Sequence, residues 1–310
     1  VGIGSILFSA GEGKRLRPLT NSVAKPAVPL LDVPLGAFGL ASLIATASPV
    51  VVNASHRADS LEASLRSACP AGWRLFDEGA EGYGTAGTIA ALADEVEDPL
   101  VVYNGDLLTD LDPTDVMTAH ESSDAGITIA VREVGRAADV ILDGDRVTDF
   151  VDRRRDTSAR GGQYIGVAVI DPSIARAIPT HRPLGLGESV FSQVARDERM
   201  RVYRHDGYVL DVGTVDRFLK ATNDCLYGIA PPPPVPFPGR TIEIDDGMAY
   251  LGPGVVASKR SLGAGAVILQ DAYVDAGAHI LRSVVWPGEL VPEGEVVRDA
   301  VWIGGRALSL

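Results

Sequence analysis

The chain has 310 residues, 46% hydrophobic and 22% charged, with a formal net charge of −13. That length can bury a full core and predicts two domains, and the composition is that of a globular protein. The acidic balance argues against nucleic-acid binding, which needs a concentrated basic face, and the strand-sized, interrupted apolar runs predict no membrane span.

Ile6 to Phe8 reads as an apolar strand that breaks through Ser9 and Ala10 into Gly11-Glu12-Gly13. Lys14, Arg15, Leu16, Arg17, Pro18, Leu19 and Thr20 follow, and then Ala24-Lys25-Pro26. Glycine lets the main chain turn at φ > 0 and lets a ligand approach it, and successive N–H groups in such a turn can hold a phosphate oxygen. Lys14, Arg15, Arg17 and Lys25 put positive charge there against the acidic background. The stretch leads in from Val1 without a basic segment and cleavage site, so no signal peptide is expected.

Further along, Leu35 to Ala47 is apolar at helical spacing, Pro49 to Asn53 reads as a strand, and Asp59 to Ala68 as an amphipathic helix. Asn53 to His56 lie at a strand's carboxyl end, where α/β sheets place ligands. There His56 reads as a loop-packing or capping residue, with substrate contact as the other reading. Trp73 to Phe76 is a short strand, and the Gly-rich run Gly82 to Gly87 leads into a helix over Thr88 to Glu95. Leu100 to Tyr103 is a buried strand ending on Asn104-Gly105-Asp106, and Gly126 to Val131 is another. Val140 to Leu142 and Arg146 to Val151 read as a hairpin with an Asp-Gly turn. Gly166 to Ile170 is a strand stopped by Pro172, Arg201 to Tyr203 another, and Val215 to Leu226 a helix. Strands alternating with helical patterns predict βαβ units and a mostly parallel, Rossmann-like sheet flanked by helices.

Residues 231–238 (PPPPVPFP) must be extended, since proline lacks an N–H and disfavours helix before it, and they read as a stiff spacer. Beyond it Leu262, Ile268, Val274 and Ile280 recur every six residues, the period of a parallel β-helix, with the frame drifting after Trp286. The expected division is a catalytic domain over 1–228, a linker over 229–240 and a hexapeptide-repeat β-helix over 241–310. A short β-helix needs its ends and apolar face covered, so a homo-oligomer is expected through it. Cys69 and Cys225 form no metal or disulfide pattern and read as reduced thiols of a cytoplasmic protein.

Asp106 and Asp211, the latter in Tyr208-Val209-Leu210-Asp211-Val212-Gly213-Thr214, each follow an apolar strand beside a glycine. Carboxylates so projected can share a divalent cation such as Mg²⁺, which keeps waters and takes phosphate oxygens as further ligands. The opening stretch and Lys25-Pro26, with Gly84-Thr85-Ala86-Gly87, Gly105-Asp106 and Asp211-Val212-Gly213-Thr214, resemble the motifs of the sugar-1-phosphate nucleotidyltransferases. Lys14 stands where that family usually has Thr, and Ala24 where it has Pro. There is no third Rossmann glycine and no Walker Gly-Lys-Ser/Thr. The resemblance implies a left-handed hand for the β-helix. It implies that Ala10, Gly11, Gly13 and Lys14, with Gly84 and Thr85, bind the nucleotide, and that Arg15, Lys25, Asp106 and Asp211 are catalytic. It also implies that Asp106 and Asp211 bind Mg²⁺ together, and that Asp152, Arg153 and Gly166 meet the sugar phosphate. Asp152-Arg153 replaces the family's Glu-Lys, and Ala138-Asp139 stands where a sugar-contact glycine is expected.

The resemblance implies Mg²⁺-dependent transfer of a nucleoside monophosphate from an NTP to a sugar 1-phosphate, releasing pyrophosphate. The Gly-Thr-Ala-Gly element leans towards GTP and a mannose- or heptose-type product. A catalytically silent regulatory subunit that binds nucleotide sugar is the alternative, and the departures at Asp139, Asp152 and Arg153 favour it. A bifunctional uridylyltransferase–acetyltransferase ranks last, since the segment after the spacer offers too few coils for an acyl-CoA site.

Overall fold

The computed structural model describes residues 2–152 and 155–309. Among the described residues one sheet of nine strands carries the first two thirds of the chain. Its order is Trp73–Asp77, Val50–Ala54, Ser5–Phe8, Leu100–Asn104, Gly161–Ile170, Ile127–Val134, Met200–Arg204, Arg146–Phe150 and Val140–Asp143. The first four run parallel, with Ser5 opposite both Val50 and Val101; the apolar runs of the three inner strands are covered on both faces, while the edge strand Trp73–Asp77 is partly exposed.

The expectation of a mostly parallel sheet is corrected beyond that point. Gly161–Ile170 runs antiparallel to both its neighbours, and Met200–Arg204 returns parallel to Ile127–Val134. Among the described residues no crossover helix lies between the Val140–Phe150 hairpin and Gly161–Ile170, and only a parallel neighbour needs one. This strand also starts five residues before Gly166, with an irregularity between Tyr164 and Ala168. The helix expected from Thr88 begins at Thr85, because Gly84 turns the chain at φ +74°.

The C-terminal residues pair in parallel ladders. Gly247–Leu251, Ala266–Ile268, Val284–Val285 and Ala300–Ile303 form one; Val256–Ala257, Tyr273–Val274 and Leu290–Val291 a second; His279–Leu281 and Val296–Arg298 a third. Val267 pairs with Val284 and Val284 with Val301, seventeen residues on each time. Leu262, Ile268, Val274 and Ile280 are all buried. The frame slips earlier than Trp286: Arg282 at φ +45° makes a shorter corner, and Val285, Val291 and Val297 resume a buried six-residue frame.

These ladders share a core with the nine-stranded layer. Leu31, Val33, Phe218, Tyr250 and Trp286 belong to one apolar cluster, and the rings of Phe218 and Trp286 meet edge-on at 6.1 Å. Val235 and Phe237 of the proline-rich stretch pack against the same cluster. No helix of the described residues is long and apolar enough to cross a membrane.

Candidate active site

The carboxyl ends of the four parallel strands open on one side, and the loops leaving them build the site. After Ser5–Phe8 the main chain is pinned from the next strand: Ser9 N–H donates to Asn53 Oδ1 at 2.6 Å and Ser55 Oγ donates to the Ala10 carbonyl at 2.6 Å. Gly13 turns at φ +64° into the single helical turn Lys14–Leu16, with Leu16 buried and Thr20 Oγ1 donating to the Gly13 carbonyl at 2.9 Å. No atom lies within 4 Å of where a side chain on Gly11 would project, so the loop is open to a ligand there. Glu12 lies 3.0 Å from Lys14 and 3.8 Å from Arg17, with the His56 ring 3.9 Å away. The hydrogen bond from Lys14 holds its carboxyl below the usual range.

Lys25, 9% exposed, follows in the turn Lys25–Ala27. Its ammonium pairs with Asp106 and lies 3.9 Å from Asp211 Oδ1. The two aspartates meet because Val209–Asp211 pairs antiparallel with Leu107–Thr109, setting Asp211 opposite Leu107. Burial and then the Asp106 charge push the Asp211 carboxyl above its ordinary range, opposed by Lys25, Arg217 and Arg15. Asp211 Oδ2 accepts from Arg217 at 3.0 Å, while Oδ1 is buried without a hydrogen-bond partner among the described residues. Arg15 comes near because residue 213 is glycine: a Cβ there would stand 3.3 Å from Arg15 Nη2 and 3.1 Å from Asp211 Oδ1.

No group of three or more His, Cys, Asp or Glu among the described residues forms a self-sufficient metal cage. Two converging carboxylates, one presenting an unpartnered buried oxygen, fit a hard divalent cation that completes its shell with water and phosphate oxygens.

The loop after Trp73–Asp77 makes the opposite wall. Glu78, only 6% exposed, accepts from Asn53 Nδ2 at 2.8 Å and from the Tyr83 N–H at 2.7 Å, and the Thr88 hydroxyl also donates to it. Gly84 lies so close to the Leu184 carbonyl that a Cβ would stand 2.5 Å from it. Thr85 Oγ1 accepts from Leu186 N–H at 2.9 Å, so its hydroxyl braces the loop, and Arg182 stacks over Tyr83 at 3.5 Å.

Ala10, Gly11, Lys25, Gly84, Thr85 and Asp106 thus line one cleft of about 410 Å³. Gly13, Lys14, Arg15 and Gly213 line an adjoining one that shares Lys25 and Asp106. Gly166 supports the first from behind: at φ +98° it packs against Asn104, where a Cβ would lie 2.7 Å from Nδ2. Asp152 lines neither cleft and pairs with Arg155 at 3.4 Å; Arg153 lies outside the described residues. Asp139 accepts the Tyr164 N–H at 2.8 Å, bracing the strand that carries Gly166. The roles of Glu78, Thr88 and Arg217 are not legible in sequence. Only Asn53, at a strand's carboxyl end, carried a signal.

The nucleotidyl transferase family model matches residues 4–227. A mannose-1-phosphate guanylyltransferase of Mycobacterium tuberculosis is 27% identical over 95% of this chain and 83% of its own length. A UTP–glucose-1-phosphate uridylyltransferase of Synechocystis is 25% identical over 96% of this chain and 82% of its own. A solved structure named as a glucose-1-phosphate thymidylyltransferase of Bacillus anthracis covers 71% of this chain and 93% of its own, with a TM-score of 0.60 at 16% identity, a likeness of fold alone. With its open glycine loop, its lysine between two aspartates and a family match over most of its length, the chain belongs to the nucleotidyl transferase family of sugar-1-phosphate nucleotidyltransferases.

Proposed function

We propose that the protein transfers a nucleoside monophosphate from GTP to a sugar 1-phosphate, most simply mannose 1-phosphate, and releases pyrophosphate. The observation that carries this is that Lys25 and Asp106 pair where the two clefts meet beneath the glycine loop, with Asp211 Oδ1 3.9 Å from the same ammonium. A sugar-phosphate oxygen attacks the α-phosphorus as the bond to pyrophosphate breaks opposite it. The protein's task is positioning and charge neutralisation. Main-chain N–H groups around Gly11 and Gly13 hold phosphate oxygens, and Lys14 and Arg15 face the departing pyrophosphate. Lys25 lies between donor and acceptor phosphates. Asp106 and Asp211 would hold Mg²⁺, which when bound supplies charge neutralisation at the α-phosphate.

The relative from Mycobacterium tuberculosis, which carries a guanylyltransferase name and aligns over nearly the whole chain, supports guanine. The sugar phosphate is assigned to the side of Gly166, by the family resemblance and the strand that carries this glycine. The C-terminal ladders are read as a left-handed β-helix through which copies of the chain associate, and the free buried Cys69 and Cys225 support a cytoplasmic location.

A pyrophosphate-release screen of five NTPs against a panel of sugar 1-phosphates, with and without Mg²⁺, tests the whole reading. Turnover with GTP and mannose 1-phosphate that stops on chelation is expected. Tight nucleotide-sugar binding without turnover under any pairing would replace it with the silent regulatory subunit.

A further inference from the structure

The geometry points to Arg217 as a positioning residue that selects which oxygen of Asp211 faces the metal; this rests on the proposal that Asp211 is a metal ligand. A carboxylate at the end of a three-residue strand pairing is not oriented by its backbone alone, because rotation about its last bond exchanges the two oxygens. Arg217 removes that freedom. Its Nη1 donates to Asp211 Oδ2 at 3.0 Å and to the main-chain carbonyl of the same residue at 3.2 Å, so one nitrogen fixes the carboxylate against its own backbone. The oxygen left over, Oδ1, is the one that is buried, has no hydrogen-bond partner among the described residues and lies 3.9 Å from the Lys25 ammonium.

The backbone that carries Arg217 is itself held. Arg217 stands in the first turn of the helix Val215–Leu226, whose next residue, Phe218, is fully buried and packs on Trp286. Phe218 N–H donates to the Thr214 carbonyl at 2.9 Å, tying this turn back to the segment that carries Asp211 and Gly213. With its side chain only half-buried, Arg217 acts through geometry more than through charge.

The test is Mn²⁺ binding by the full chain, followed by electron paramagnetic resonance with a saturating non-hydrolysable GTP analogue, beside binding of that analogue in EDTA. Arg217→Gln should weaken Mn²⁺ binding at least tenfold, the usual size for loss of a partner that orients a metal ligand, and leave analogue binding in EDTA unchanged. Arg217→Lys should recover part of the loss, and it carries the test if the glutamine variant does not fold. Asp211→Asn is the reference. If it loses Mn²⁺ while both Arg217 variants keep it, the positioning role is overturned and the metal site stands. If Arg217→Gln loses the analogue in EDTA but keeps Mn²⁺, Arg217 is a phosphate contact and the proposal is overturned. If Asp211→Asn keeps Mn²⁺, the metal reading falls and this proposal with it.

Discussion

Val212 donates its main-chain N–H to the carbonyl of Asp106 at 2.9 Å. This bond extends the short antiparallel pairing by one step and lets one ammonium, that of Lys25, face both carboxylates. Groups serving one ion are not independent. Asp106→Asn and Asp211→Asn should each lower turnover on the order of 100-fold. The double variant should lose far less than the product of the two effects, and multiplicative losses would break the shared-ion reading.

Arg15 reaches the adjoining cleft over Gly213. Its charge is needed most as pyrophosphate departs, so Arg15→Ala should lower kcat on the order of 100-fold and change KM for the sugar phosphate little. Gly213→Ala should act in the same direction and more weakly, because the added methyl crowds Arg15 and Asp211 by only a few tenths of an ångström. Steady-state kinetics at saturating GTP measure both, and a near-normal kcat in Arg15→Ala would remove this residue from the chemistry.

The parts of this site visible in the sequence are those built from local pattern. Strand, glycine and charge at Phe8–Lys14, and strand, glycine and carboxylate at Asp106 and Asp211, fix positions that the sheet then brings together. Glu78 was hidden because it follows Asp77, and nothing local says which of two adjacent acids turns inward. That choice is made by Asn53, Tyr83 and Thr88, from three other segments. Arg217 was hidden because it sits six residues after Asp211, across the change from strand to helix, where neither period pairs them. The antiparallel direction of Gly161–Ile170 escaped notice because buried apolar strands read alike in either direction, whereas the Val140–Phe150 hairpin was legible from its Asp-Gly turn.

His120 is 4% exposed, with Nδ1 3.0 Å from Thr128 Oγ1 and Nε2 3.8 Å from Asp171 Oδ1. Burial holds its pKa below the ordinary value, outweighing the Asp171 charge. The unfolded chain therefore takes up this proton more readily, and the stability it contributes is lost as pH falls below about 6.5. Urea midpoints should drop between pH 7.5 and 5.5, by at most about 1.4 kcal/mol per pH unit from this group. His120→Asn should flatten that dependence, and an unchanged slope would assign it elsewhere.

The C-terminal ladders grip the segment that follows Lys25. Pro29–Leu30 and Val33–Pro34 form a hairpin whose turn, Leu31-Asp32, has φ of +47° and +65°, unusual for leucine. Tyr250 holds that turn: its hydroxyl lies 3.0 Å from both the Leu31 carbonyl and Asp32 Oδ2, donating to one at a time, and accepts from Gly239 N–H at 2.9 Å. Asp32 Oδ1 accepts the Gln270 N–H at 2.9 Å, and burial raises its carboxyl above the usual range despite these bonds. Val28 N–H in turn donates to the Lys25 carbonyl at 3.1 Å, so the hairpin and the turn that carries Lys25 are one continuous structure. Tyr250→Phe should cost about 1–2 kcal/mol by leaving buried partners unmet. Trp286→Ala should cost about 3–5 kcal/mol through the cavity it leaves against Phe218. Deleting residues 241–310 uncovers Leu31, Val33 and Phe218 together and should abolish both solubility and turnover. A soluble truncated chain with full turnover would show that the hairpin and Lys25 hold their places without the ladders.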